Sequence, residues 1–302
     1  MTDASTTPGP LTSNVFDTAL VFEGGGMRAS YTSAMVVALL EAGVHADYVA
    51  GISAGSSNTA NYLSRDPARA RRSFVEFAAD PRFGDLRTFV RGEGMFNARY
   101  IYEETGLPDQ ALPFDFATFR ANPARFRVGA FQCSTGRNVW WGRDDVREMH
   151  DLMVRVRASS TMPVVMPPVT IDGEVYVDGA LGRSGGIPLD IARADGFERF
   201  LVVLTRPRGY RKGPSRLDGF YRRHFRRWPA VVDALRKRPH RYNETREELF
   251  RLEREGRAYL FVPDSMPVDN GERSVTKLRR SHELGLAQAR REMPAIREFL
   301  GL

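Results

Sequence analysis

The sequence has 302 residues, enough for one large domain or for a core domain with an appendage. Hydrophobic residues at 42% and charged residues at 27% are close to globular averages, which excludes a disordered chain, collagen and a coiled coil. The longest apolar runs, AMVVALL and FLVVL, fall short of the roughly 18 residues that a transmembrane helix needs. The single cysteine, Cys133, excludes an internal disulfide and a cysteine-based metal cluster, and its apolar surroundings predict a buried structural thiol.

The positive charge is concentrated in one segment. The net charge is +7, and residues 206–241 hold 13 of the 44 basic residues but only two of the 37 acidic ones. The rest of the chain is therefore mildly acidic, which favours one anionic surface as a partner. Residues 1–16 lack the basic start and apolar centre of a secretory signal. We expect them to form a flexible polar tail on a cytoplasmic protein.

The first elements alternate between strand and helix. TALVF at 18–22 predicts a buried strand, and a helical pattern at 30–43 follows the loop EGGGMR. YVAGI at 48–52 predicts a second strand, followed by a sharp turn and a helix to about Ser64. This alternation is typical of α/β proteins, in which helices cover both faces of a mostly parallel sheet.

The later chain continues this organisation. Asp172-Gly173 is a strong signal for a two-residue hairpin turn. We expect a single domain over residues 17–302, with a three-layer core at about 18–205 and a mainly helical extension at about 206–302. The other predicted elements, in chain order, are a helical region with breaks at 66–123, strands at 125–133 and 137–141, a helix at 144–160, an extended loop at 161–169, a strand at 198–205, a strand at 257–263 and a C-terminal helix.

Ser53 is the candidate nucleophile. Gly51-Ile52-Ser53-Ala54-Gly55 matches G-x-S-x-G, the signature of a serine held on a tight turn between a strand and a helix. The small residues Gly51 and Gly55 permit the close approach of strand and helix. The residues before the turn are typical of a strand, and those after it are typical of a helix. The alternative is an ordinary loop serine.

The loop Glu23-Gly24-Gly25-Gly26-Met27-Arg28 predicts an anion cradle. Three glycines before a helix leave backbone N–H groups accessible to a negatively charged oxygen. The loop lacks both G-x-G-x-x-G and the Lys-[Ser/Thr] ending of a P-loop. It could hold a phosphate or the oxyanion of acyl transfer, and with a candidate serine on the next strand we favour the oxyanion. A tight turn that needs glycine is the structural alternative.

Asp178 is the candidate base. The five histidines, at positions 45, 150, 224, 240 and 282, do not lie in strand-end loops with small neighbours. Asp178 ends a short strand in VYVDGAL, where Gly179 and Ala180 allow the chain to turn beside another group. Partial burial against a hydroxyl would raise the pKa of its carboxyl toward a useful range. An aspartate that caps the hairpin explains the same pattern equally well.

Together, EGGGMR, GISAG and DGA resemble the glycine-rich loop, nucleophile elbow and aspartate motif of the bacterial patatin-like phospholipases. The resemblance covers about residues 18–205, including ASSTMPVVMPPVTIDGEVYVDGAL. It implies a Ser-Asp dyad hydrolase of lipid or lysolipid esters, of phospholipase A or lysophospholipase type, that needs no cofactor or metal. It further implies an oxyanion hole around Gly24, Gly25, Gly26, Met27 and Arg28. Ala29 and Ala180 stand where many members of the family have glycine.

The basic segment has two interpretations. Its aromatic residues, Phe220, Tyr221, Phe225 and Trp228, could lie at the headgroup level of an anionic membrane, or they could pack onto the core. Packing onto the core is the more common arrangement. A nucleic-acid partner is disfavoured because no binding module is visible, and the sequence indicates no oligomeric state.

Two other functions compete with the dyad hydrolase. One is an α/β-hydrolase triad that recruits His224, His240 or His282. The other is a non-catalytic lipid-binding protein that uses the basic segment.

Overall fold

The computed structural model describes residues 11–84, 94–214 and 218–302. Parts of three predicted segments therefore lie outside the described residues: 1–10 of the polar tail, 85–93 of the helical region with breaks and 215–217 of the basic segment.

A mixed sheet forms the centre of the molecule. Five strands run parallel in the order β3-β2-β1-β7-β8. β4 and β6 pair antiparallel with β3, and β5 pairs antiparallel with β6. The α/β class and the mostly parallel sheet predicted from the sequence are confirmed. The strands of the described residues are β1 Thr18–Phe22, β2 Tyr48–Ile52, β3 Arg125–Gln132, β4 Arg137–Trp141, β5 Val169–Ile171, β6 Glu174–Asp178, β7 Arg199–Val203 and β8 Ala258–Phe261.

Helices cover both faces of the sheet. Alternate residues of β1 face opposite sides of the sheet. Leu20 packs in an apolar cluster with residues of the helices at 29–41 and 275–300, and Val21 packs in a second cluster on the other face. In the described part of the chain, no helix is both long and apolar enough to cross a bilayer. The described helices are α1 Ala29–Glu41, α2 Ala54–Leu63, α3 Pro67–Phe74, α4 Phe116–Ala121, α5 Met149–Ser159, α6 Leu189–Ala194, α7 Asp218–His224, α8 Pro229–Arg254 and α9 Val275–Leu300.

Local chemistry sets the boundaries of two predicted elements. The helix predicted at 144–160 begins at Met149, because the Asp151 carboxylate accepts the backbone N–H groups of Arg147 and Glu148 and caps the helix there. The loop predicted to be extended at 161–169 instead turns back on itself, with Val164 at a φ of 73°. The predicted hairpin turn at 172–173 is confirmed between β5 and β6.

The basic segment packs largely onto the core. Phe225 is 1% exposed and lies in a cluster with Phe131 and Cys133, and Tyr221 and Trp228 pack against the same cluster. Phe220, by contrast, is 49% exposed. Burial raises the pKa of the Cys133 thiol to about 12, as expected of a structural cysteine.

Candidate active site

Ser53 occupies a tight turn between β2 and α2. Its backbone has φ 56° and ψ −131°, a conformation that residues other than glycine rarely adopt. A Cβ at Gly51 would lie 2.2 Å from the Gly55 carbonyl oxygen, and a Cβ at Gly55 would lie 2.3 Å from the carbonyl oxygen of Phe22. The elbow therefore needs glycine at both positions, because strand and helix approach too closely for any side chain.

Asp178 lies within hydrogen-bonding distance of Ser53. The Ser53 hydroxyl donates to Asp178 Oδ2 over 2.8 Å, and both residues are 6% exposed. The other carboxylate oxygen accepts the Ala180 N–H at 2.8 Å, and the Asp178 N–H donates to the Thr161 carbonyl at 2.7 Å. Burial raises the pKa of the Asp178 carboxyl, while the charge of Arg238 and these two hydrogen bonds to the carboxylate oppose the shift. The structure thus places a basic carboxylate directly against the hydroxyl.

The register of β3 explains how the two residues meet. β4 pairs with residues 128–132 along one edge of β3. The residues of β3 that pair with β2 and with β6 overlap that range, so both of these strands must lie along the other edge. β2 is parallel to β3 and ends with Ile52 opposite Gly129. β6 is antiparallel and ends with Asp178 opposite Ala130. The two strands therefore point their carboxyl ends at each other.

Ser159, which the sequence interpretation did not single out, holds the elbow in place. Its hydroxyl accepts the Ser53 N–H at 2.9 Å and donates to the Gly129 carbonyl at 2.6 Å. Ser159 is fully buried at the end of α5. The only sequence signal for it was its place in the ASSTMP stretch, because a buried serine has no distinctive pattern.

Three amides of the glycine loop already have acceptors. The Gly24 N–H donates to the Gly186 carbonyl at 3.0 Å, and the Met27 N–H donates to the Asn270 carbonyl at 3.1 Å. The Arg28 N–H donates within the loop itself at 3.3 Å. In this structure these three amides therefore donate to protein acceptors, whereas the sequence suggested them as oxyanion donors together with those of Gly25 and Gly26.

The amides that remain lie beside Ser53. Among the described residues, no acceptor bonds the N–H of Gly25, Gly26 or Ala54. Ala54 is the first residue of α2, so the positive end of that helix points at the serine. A Cβ on Gly24 would lie 2.9 Å from the Ser53 Cβ, so the loop and the elbow are in direct contact.

An apolar pocket opens next to Ser53. It holds about 860 Å³ of empty space, including the part open to solvent. Its walls come from α2, α5 and the region 66–123, which the sequence indicated only as helical with breaks. The apolar residues of the wall include Phe74, Phe77, Phe96, Leu112, Met153 and Val156.

The histidines considered for a triad have other partners. His282 Nδ1 lies 3.2 Å from the Ser33 hydroxyl, between α1 and α9. His240 pairs with Glu244 at 3.1 Å, and His224 stacks on the exposed Phe220. The described residues also contain no cluster of three or more His, Cys, Asp or Glu side chains that could hold a metal ion.

Comparison with known proteins identifies two regions of the chain. The profile of the patatin-like phospholipases matches residues 20–193, more than half of the chain. The profile of a domain of unknown function, DUF6363, matches residues 228–301. The structure of VipD from Legionella pneumophila superposes with a TM-score of 0.51 at 13% identity, covering 92% of this chain and 67% of VipD, which shows a shared fold.

Three relatives match over similar lengths. The uncharacterized protein YjjU of Escherichia coli is 26% identical over 191 residues, 63% of this chain and 52% of YjjU. Human patatin-like phospholipase domain-containing protein 6 is 28% identical over 198 residues, 61% of this chain and 13% of that protein. Lysophospholipase NTE1 of Mycosarcoma maydis is 27% identical over 212 residues, 63% of this chain and 10% of NTE1. The chain thus spans about half or less of these relatives. The match over residues 20–193 confirms the resemblance seen in the three motifs, and the chain belongs to the patatin-like phospholipase family.

Proposed function

We propose that the protein hydrolyses carboxylic esters of lipids, with Ser53 as the nucleophile and Asp178 as the base. The 2.8 Å hydrogen bond from the serine hydroxyl to the carboxylate carries this proposal. The adjoining apolar pocket supports a lipid acyl chain as the group bound during the reaction. A phospholipase A or lysophospholipase specificity agrees with the family and with its relative Lysophospholipase NTE1.

The geometry supports a two-step reaction. Asp178 Oδ2 takes the hydroxyl proton as Ser53 Oγ attacks the ester carbonyl carbon, and the oxyanion that forms faces the free amides of Gly25, Gly26 and Ala54. Asp178 then returns the proton to the leaving alkoxide, which departs as an alcohol. A water then gives its proton to Asp178 as its oxygen attacks the acyl-serine carbonyl carbon. Asp178 returns that proton to Ser53 Oγ as the bond to the serine breaks, which releases the fatty acid and restores the hydroxyl.

Replacing either member of the dyad tests the proposal. Ser53→Ala and Asp178→Asn should each lower kcat for a medium-chain ester by about 10³-fold or more, because each removes a reacting group. A fluorophosphonate probe should label the wild-type protein at Ser53 and should not label Ser53→Ala. A matched control is Ser134→Ala, which replaces an exposed serine that bonds Glu174 and should retain full activity.

Substantial turnover by the Ser53 or Asp178 variant, with the fold intact by circular dichroism, would refute the dyad. A wild-type protein that fails to react with the probe would favour a non-catalytic lipid-binding role.

We further propose that the protein contacts anionic membranes through the region around α7. Phe220 is half exposed, and Arg223, Arg226 and Arg227 are exposed beside it. An aromatic ring among arginines suits the headgroup region of an anionic bilayer.

A further inference from the structure

Arg28 is buried beside the glycine loop without a full set of partners. It is 7% exposed, and its Nε and Nη1 atoms meet no hydrogen-bond acceptor among the described residues. Burial and the charge of Arg206 lower the pKa of Arg28, while the charge of Glu23 opposes them. A buried donor without an acceptor is destabilising, so such a guanidinium needs an explanation.

Two more cations lie close to Arg28, both from the chain that follows β7. Arg206 stacks 4.3 Å from the Tyr210 ring, and its Nε is also buried without an acceptor. Lys212 Nζ lies 4.9 Å from the ring of Tyr242 on α8. Burial and the charges of Arg238, Arg28 and Arg206 lower the pKa of Lys212 to about 8, while Glu23 opposes them.

The nearby carboxylate does not neutralise these cations directly. Glu23 accepts the Tyr242 hydroxyl at 2.7 Å on one oxygen and the Thr205 N–H at 2.6 Å on the other. Within the described ranges, no carboxylate lies within ion-pair distance of Arg28, Arg206 or Lys212. The region therefore carries excess positive charge in a partly buried setting, where an anion would be held strongly.

Arg238 connects this charge to the dyad. Its Nε donates to the Ala180 carbonyl at 3.1 Å, and the Ala180 N–H donates to Asp178. Its charge acts on the carboxyl of Asp178 and on the amine of Lys212 alike. Arg238 thus interacts electrostatically with one of the reacting groups and with one of the other cations.

We propose that Arg28, Arg206, Lys212 and Arg238 form a site that binds a phosphate group beside the scissile ester. Arginine and lysine are the usual phosphate ligands of proteins, and a guanidinium presents paired donors that match phosphate oxygens. Three of the four residues follow position 193, where the match to the patatin-like phospholipases ends, so the later part of the chain completes the site. The phosphate could belong to a lipid substrate or could be free inorganic phosphate. The first source rests on the proposed function.

Calorimetric titration tests the site without requiring hydrolysis. The full-length protein should bind glycerophosphate, and Lys212→Gln and Arg206→Gln should each weaken that binding about tenfold or more. Arg211→Gln is the matched control, because Arg211 is exposed and pairs with Glu247, and it should bind as the wild type does. Binding of inorganic phosphate without glycerophosphate would assign the same residues to the free anion. Binding of neither, or binding unchanged in both variants, would overturn the site.

Kinetics with two matched esters tests the lipid source. For a monoacylglycerol phosphate, Lys212→Gln should raise KM about tenfold, and for the monoacylglycerol of the same chain length it should leave KM unchanged. An equal effect on both esters would overturn a role in phosphate recognition. If the wild type hydrolyses neither ester, the proposed hydrolase function fails, and the titration still decides whether the anion site exists.

Discussion

The Asp178 carboxylate is buried, and its proposed role as the base requires its ionised form. Because burial raises its pKa, the folded protein holds the proton more tightly than the unfolded chain does. The protein therefore loses stability as the pH rises from the unfolded pKa through the folded one, where the carboxylate must ionise in the folded state. The proposed reaction needs the ionised carboxylate beside Ser53 despite this loss of stability.

The first prediction concerns stability. At pH 7, Asp178→Asn should raise the free energy of unfolding by about 1 kcal/mol, because it removes a buried charge while keeping the side-chain size. Urea unfolding at pH 7 measures this gain, which should vanish at a pH low enough to protonate Asp178 in both states. The exposed Asp144→Asn provides the control and should change little. A clear loss of stability in Asp178→Asn would contradict the assignment.

The second prediction concerns the acid limb of the activity profile. Activity should fall as the pH drops through the raised pKa of Asp178, because the base must be ionised. The charge of Arg238 lowers that pKa, so Arg238→Gln should move the acid limb of kcat/KM to higher pH. The groups that face the carboxyl are the Ser53 hydroxyl, the Ala180 N–H and the Arg238 guanidinium. Lys237→Gln, which removes an exposed cation paired with Asp233, should leave the profile in place. If the acid limb of kcat/KM stays at the same pH in Arg238→Gln, that result would argue against Asp178 as the base.

The strands and their order along the chain could be predicted from the sequence, because buried strands and glycine turns leave local patterns. β1, β2 and the 172–173 hairpin follow from such patterns. The contact of Ser53 with Asp178 could not be derived in that way. It depends on pairing between β3 and strands far apart in sequence, and only the family resemblance indicated it.

The free hydrogen-bond donors of the glycine loop also could not be identified from the sequence alone. Three glycines predict accessible amides, but which amides remain free depends on the Gly186 and Asn270 carbonyls, which come from distant loops. The pocket walls formed by the region 66–123 could not be predicted either, because aromatic residues in broken helices give no clear periodicity.

The packing of α9 on α1 supplies the third prediction. Gly285 lies where a Cβ would come within 2.4 Å of the Tyr31 carbonyl oxygen. Gly285→Ala should therefore lower the free energy of unfolding by about 1–3 kcal/mol, despite the better helix propensity of alanine. Ala287→Val adds bulk on the exposed side of the same helix and should cost about 0.5 kcal/mol. Equal effects of the two changes in thermal unfolding would show that the helices do not meet as closely as described.

The C-terminal helices α8 and α9 complete the core. Ala289, Met293 and Ile296 of α9 belong to the same apolar cluster as Leu20 of β1, and Leu249 of α8 packs on the other face of the sheet. We therefore propose that residues 17–302 form one domain, although two family profiles match separate parts of it.

A fourth prediction concerns membranes. The protein should sediment with vesicles that contain anionic lipid, and the double variant Arg226→Gln, Arg227→Gln should weaken this binding about tenfold or more, since each arginine near the surface contributes about 1 kcal/mol. Added salt should weaken it further. Arg279→Gln with Arg280→Gln removes two exposed arginines from α9 and serves as the control. If both double variants bind alike, the region around α7 does not make the contact.

The meeting of β2 and β6 along β3 bears on how the proposed activity would be lost on heating. Backbone ladders in the middle of the sheet fix the spacing between hydroxyl and carboxylate, so fraying of peripheral loops leaves that spacing intact. The contact between these two side chains should then persist until the sheet itself melts, and its loss should coincide with global denaturation.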